Sequence, residues 1–223
     1  MPSQEKTAQQ RKEASHAILY SQNIKVNEGL PLIEENIKIR TKKEIVDRAI
    51  ALCLISVYAE GVCTDIPIDK IHSFIHPMIE KYQAESFFTE AETAFMQMQQ
   101  PTKHEAIQFS WKYECYHVLL WTLGFLLHLG KPNEICDVGN IVKILKTHDN
   151  YDLFFHAATL RNREEILDEA DLIYRYDWAC VDARIHGFQI EEINSSIVME
   201  RHRALNWIIN YMNQDWDHVT LDT

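Results

Sequence analysis

Three groups of side chains could do chemistry. The first lies in Arg161–Thr223, where Arg175, Arg184, Arg201 and Arg203 are interleaved with Asp168, Asp171, Asp182, Glu200, Trp178 and Trp207. Six of the nine Arg fall in this stretch, and none of the thirteen Lys does. Arg offers a planar fork that grips a carboxylate with two hydrogen bonds and stacks on an indole ring, where Lys offers a point charge. The bias therefore reads as an ionic and aromatic network joining two helices, with Asp171, Arg175, Trp178, Asp182, Glu200, Arg203 and Trp207 as its expected members, either as a binding site or as a structural core. The second group centres on Glu114, which enters an apolar run three residues before His117. A carboxylate there needs a partner, because an unpaired buried charge is costly. An Arg from the last third is the expected partner. Glu114 and His202 are the candidate general acid and base, with Arg175 and Arg203 to hold an anionic group, a hydrolase-type arrangement. The third group is His72, His76 and Glu80, spaced by four. On a helix that spacing puts three metal ligands on one face. Pro77 interrupts the group and no second ligand cluster accompanies it, so no metal and no cofactor is expected.

The elements that must position these residues read as helices throughout. Thr41-Lys-Lys-Glu44, Thr89-Glu-Ala-Glu92 and Thr102-Lys-His-Glu105 are capping boxes. In each, the Thr hydroxyl and the Glu carboxylate satisfy free backbone N–H groups at a helix start. The first opens a helix to about Glu60, apolar around most of its circumference, with Gly61 as its stop. The second opens a short helix to about Gln99, and the third a long one to about Leu129. A polar helix is expected over Ser3–Asn23, and another over Ile68–Tyr82 with a kink or break at Pro77. Shorter helices follow over Val138–Thr147, capped by Asp137, and Tyr151–Leu160. Asn162 with Glu165 caps a helix to Arg184 or Ile185 that ends at Gly187. Ser195 or Ser196 caps a last helix to about Met212, and Trp216 and Val219 anchor a polar tail. The expected fold class is all-α, a single domain over residues 1–223 built from about eight or nine helices.

Composition limits the function classes. The 223 residues are 46 % hydrophobic and carry a net charge of −11. Residues 151–223 hold fourteen acids against six bases, so the last third accounts for −8 of that charge. No basic stripe is available to neutralise phosphates, which argues against nonspecific nucleic-acid binding. The polar N-terminus carries no signal-peptide pattern, and the most apolar run, Tyr116–Leu129, is shorter than the ~20 residues a spanning helix needs. The five Cys form no Cys-x-x-Cys pair and read as reduced thiols. A cytoplasmic protein without a membrane partner is expected. Phosphate loops, nucleophile elbows and His-Glu-x-x-His are all missing from the chain.

The residues together resemble a bacterial family known as a domain of unknown function, family 4272. The resemblance covers nearly the whole chain. It rests on Pro31 with Ile33-Glu-Glu35, Arg40-Thr-Lys-Lys-Glu-Ile-Val, Ala59-Glu-Gly61, Trp111-Lys-Tyr-Glu114, Leu119-Leu-Trp-Thr-Leu-Gly124 and Cys136-Asp-Val138. In the last third it rests on Glu165-Ile-Leu-Asp168, Asp171-Leu-Ile-Tyr-Arg175, Asp182-Ala-Arg184, Glu200-Arg-His-Arg-Ala-Leu-Asn-Trp207 and Trp216-Asp-His-Val219. Lys112 stands where the family pattern carries Arg, which removes a two-bond fork from that position. The resemblance implies a mostly helical domain and brings no activity with it.

Two functions follow from the residues. One is a non-enzymatic interaction protein, an adaptor or an immunity-type partner of a basic protein, suggested by the acidic last third and the missing catalytic motifs. The other is a hydrolase using the Glu, Arg and His cluster between the central and C-terminal helices.

Overall fold

The computed structural model describes residues 6–33 and 37–223. Glu34 and Glu35 of the family pattern, and the Ser3 start of the first expected helix, lie outside the described residues. The fold is all-α. Among the described residues there are ten α-helices and no strand: α1 (Ala8–Ser21), α2 (Lys42–Cys63), α3 (Ile68–Tyr82), α4 (Glu90–Gln97), α5 (Lys103–Ser110), α6 (Lys112–Thr122), α7 (Val138–Lys146), α8 (Tyr151–Ala157), α9 (Arg163–Ile185) and α10 (Ser195–Ile208). Two short 3-10 turns, Tyr211–Asn213 and Trp216–His218, follow α10. No helix among the described residues is long and apolar enough to cross a membrane.

The chain forms two compact units. One comprises Thr41–Leu129 and Cys136–Leu160, the other Met1–Arg40, Gly130–Ile135 and Arg161–Thr223. In the first, α2 is the central rod, packed by α3, α5 and α6. Its apolar residues run all round it, so Ile45, Val46, Ala49, Ile50 and Leu52 are all fully buried. Each such Ile or Leu contributes roughly 1.5–3 kcal/mol by leaving water. Towards the end of α2, Ile55, Tyr58 and Ala59 meet Ile71 and Ile75 of α3, Phe95 of α4 and Ala106 of α5. In the second unit, α9 packs against both α1 and α10.

All three expected capping boxes are present, each with both reciprocal hydrogen bonds, and Thr7 with Gln10 forms a fourth at the start of α1. Helix ends depart from the expectations for identifiable reasons. Gly61 does not stop α2, which runs on to Cys63. Its missing side chain serves a close crossing instead: a Cβ there would lie 2.9 Å from Ile71 Cδ1. The stop comes at Asp65, whose backbone is left-handed (φ 58°), with Ile66 N–H bonded to Gly61 O. Pro77 does not break α3, which continues through it to Tyr82. The long helix expected from Lys103 to Leu129 is two helices meeting at Trp111, the second ending at Thr122. Its end is a Schellman turn in which Gly124 (φ 77°) bonds to Trp121 O and Phe125 to Leu120 O. Asn194, not Ser195 or Ser196, caps α10, accepting from Ser196 and Ile197 N–H, and α10 ends at Ile208 ahead of a left-handed Asn210.

Candidate functional site

Arg175, Arg201 and Arg203 each bind different groups. Asp171 and Arg175 are one turn apart on α9, and the guanidinium grips the carboxylate with Nε at 3.2 Å and Nη2 at 2.7 Å. Both side chains are sealed from solvent, at 1 % exposure, and Nη2 also donates to Pro31 O at 3.0 Å. Asp182 is bound by Lys25 at 2.9 Å, and the same ammonium lies 5.6 Å from the Trp178 ring. Glu200 is buried, with Arg203 Nε 3.8 Å from its carboxylate, and Arg201 donates to Gly130 O at 2.8 Å. Trp207 lies under the Arg40 guanidinium at 4.5 Å and meets Trp216 edge to face. Arg40 also donates to Trp207 O and Gln214 O, which ties the C-terminal turns to α10. The seven expected members thus occupy four places in this unit.

Several partners were not legible in the sequence. Arg11 of α1 is buried and binds Asp168 (3.0 Å) and Glu164 (2.7 Å) of α9. Lys12 is buried beside it and caps the carbonyls of Glu28 and Leu30. His16, on the same helix, has its pKa lowered by burial, with the Glu28 carboxylate opposing and the Arg175 and Lys12 charges adding to the effect. Of the apolar residues of this helix, Leu19 is fully buried while Ala14, Ala17 and Ile18 are exposed, so the apolar pattern does not mark which of the polar residues face inwards.

His202 bonds through Nδ1 to Asp177 of α9 at 3.0 Å, and both are buried. Its ring forms part of the wall of a cavity of about 520 Å³, together with Tyr174, Asn206, Asp222 and Lys38. One side of that cavity is the turn after α10, where Asn210, Met212 and Asn213 all hold left-handed backbone at φ 51–55°. Such conformations cost energy for a side chain like Met and gather at functional sites. A second, larger groove of about 940 Å³ lies where α9 ends and α10 begins. Phe188, Ile190, Ile193 and Met199 line it with Arg184 and Glu191. Phe188 is 51 % exposed and Met199 39 %, both high for large apolar side chains.

In the other unit, Glu114 is 1 % exposed, and its Oε1 accepts the backbone N–H of Cys136 at 2.6 Å. Oε2 lies 4.0 Å from Nδ1 of His117, one turn along α6. The Cys136 thiol completes a group whose three ligand atoms lie within 4.8 Å of one another, the one such group among the described residues. His72 and His76 share a 3.0 Å hydrogen bond between ring nitrogens, while Glu80 is exposed and does not converge with them. Burial and the neighbouring His76 both lower the His72 pKa. None of the five cysteines is in a disulfide. Burial pushes the Cys53 and Cys180 thiols up to about 12, which makes them poor nucleophiles.

No curated protein and no solved structure matches the chain. One family model does match it, over residues 11–219, and its description is a domain of unknown function, DUF4272. That span contains every helix from α2 to α10 and all but the first turn of α1, so the chain belongs to the DUF4272 family.

Proposed function

We propose that this is a non-enzymatic binding protein that docks a basic protein partner, as an adaptor or an immunity-type protein does, in the groove at the junction of α9 and α10. The observation that carries the reading is the contrast in exposure within one unit. Asp171 and Arg175, which could have supported hydrolysis, are sealed on each other. The apolar groove residues Phe188 and Met199 face solvent, Glu191 lines the same groove, and Glu192, next in sequence, is exposed. Exposed apolar side chains with Glu191 among them and Glu192 following in the chain suit a cationic amphipathic helix, whose apolar stripe meets Phe188 and Met199 while its Lys or Arg meet the carboxylates and keep clear of Arg184. The test is calorimetric titration with a synthetic Leu/Lys amphipathic peptide. Wild type binds it in low salt, and F188D and the double variant E191K/E192K each weaken binding at least about tenfold, a loss of about 1.4 kcal/mol. Equal binding by all three proteins contradicts the groove as the docking site.

A second reading is favoured by the His202–Asp177 pair at the cavity wall. A carboxylate on Nδ1 fixes the imidazole tautomer and leaves Nε2 as the base, which is the arrangement general-base hydrolysis needs. Under this reading, hydrolysis of small ester and phosphoester substrates is measurable in wild type and abolished in H202Q. Turnover that survives H202Q, or no turnover in wild type, removes it.

A further inference from the structure

We propose that Glu114, His117 and Cys136 form a binding site for a zinc-type divalent cation. The proposal does not depend on the docking reading, since these residues belong to the other unit. Three observations support it. First, the ligand set is chemically mixed: one thiol, one imidazole and one carboxylate. Thiolate and imidazole together favour a borderline-soft metal such as Zn²⁺ over Mg²⁺ or Ca²⁺, which take oxygen ligands. Second, the donors come from rigid places. Glu114 and His117 are one turn apart on α6, so they project on one side of the same helix. Cys136 stands immediately before Asp137, the cap of α7, and its backbone N–H is fixed by Glu114 Oε1. The other carboxylate oxygen, Oε2, lies 4.0 Å from His117 Nδ1. Third, the spacing is close to what a metal requires. Bonds of ~2.0–2.3 Å to a tetrahedral ion put its ligands about 3.3–3.8 Å apart. The atoms here lie within 4.8 Å of one another, so about 1 Å of side-chain rotation closes them on an ion.

The site has the character of an open zinc centre. Three protein ligands leave a fourth position for water or a ligand atom, as in catalytic zinc sites. His117 is the least buried of the three, at 13 % side-chain exposure against 1 % for Glu114, and gives the side from which an ion would enter. Binding requires Cys136 to give its proton to solvent, so affinity rises with pH. The predictive signal in the sequence is Glu-x-x-His on a helix, with a Cys ahead of a helix cap. It was masked because the Cys lies 22 residues from the Glu, with no fixed spacing to advertise it.

The experiment uses the full-length, untagged protein purified with Zn²⁺ and then dialysed without chelator. Elemental analysis is expected to find about one zinc per chain, and X-ray absorption at the zinc edge one sulfur at about 2.3 Å with lighter donors at about 2.0 Å. C136S and H117Q, which keep Glu114 and its bond to the Cys136 backbone, are expected to weaken zinc binding by more than about 100-fold, since loss of supporting partners alone costs 10–100-fold. Helical circular dichroism should be unchanged in both. Substoichiometric zinc in wild type overturns the proposal, and so does zinc without a sulfur ligand. Stoichiometric zinc retained by folded C136S and H117Q places the metal elsewhere and also overturns it. Where a variant does not fold, the absorption spectrum of wild type decides: a sulfur in the zinc shell supports the site and its absence refutes it.

Discussion

At the scale of single residues, the strongest energetic statement concerns Arg175. Its guanidinium and the Asp171 carboxylate are both removed from water, so deleting either leaves the other charge buried without its partner. Such deletions cost ~3–5 kcal/mol. R175A and D171A should each lower the urea midpoint accordingly, and an unchanged midpoint would mean that water reaches the pair. Glu169 gives a pH dependence. Burial pushes its carboxyl up to about 7, with Arg201 opposing and Asp168 adding. The folded protein then keeps a proton that the unfolded chain releases near 4.5, so it binds more protons across that window. Stability therefore falls as pH rises from about 4.5 to about 7, by at most about 3 kcal/mol, and E169Q should flatten that slope. Some of this was readable in the sequence. Asp171 and Arg175 are one helical turn apart, and a local spacing is enough to pair them. Arg11 with Asp168, Arg40 with Trp207 and Asp177 with His202 were not readable, because those pairs depend on which helix faces which.

At the scale of elements, helix starts were more legible than helix ends. A start is written in four consecutive residues, and Thr41–Glu44, Thr89–Glu92 and Thr102–Glu105 all form both cap bonds. An end depends on what lies beyond it. Gly61 and Gly124 look alike in sequence, yet the first lies inside α2 against Ile71 and the second ends α6 with φ 77°. A Cβ at Gly124 would lie 2.8 Å from Thr159 O, a backbone atom that cannot swing away. G124A is therefore expected to cost about 1–3 kcal/mol from the left-handed backbone, with the contact adding to it. Thermal unfolding checks this, and a variant as stable as wild type would mean that α6 ends differently. The His72, His76 and Glu80 group shows the opposite failure. Its spacing was regular and brings His72 and His76 together, but the third residue, Glu80, stays exposed and does not join them. Glu114, His117 and Cys136 converge because a loop brings the third residue back to the helix.

At the scale of the whole molecule, neither compact unit is a continuous stretch of chain. The chain passes between them after Arg40, Leu129, Ile135 and Leu160, so no single cut isolates either one. We expect a single domain in the thermodynamic sense, with near-ultraviolet and far-ultraviolet signals unfolding in one coincident transition. Separate transitions would make the units independent. The acidic balance of residues 151–223 also acts at this scale, since a charged surface steers a partner of opposite charge over long distances and loses that effect in salt. The most direct measurement of the central claim is affinity capture from the source cells at low ionic strength, with wild type and F188D/E191K/E192K compared side by side. The account predicts a basic protein held by wild type, released by salt and missing from the variant. The same proteins recovered by both, or none specific to wild type, would contradict it.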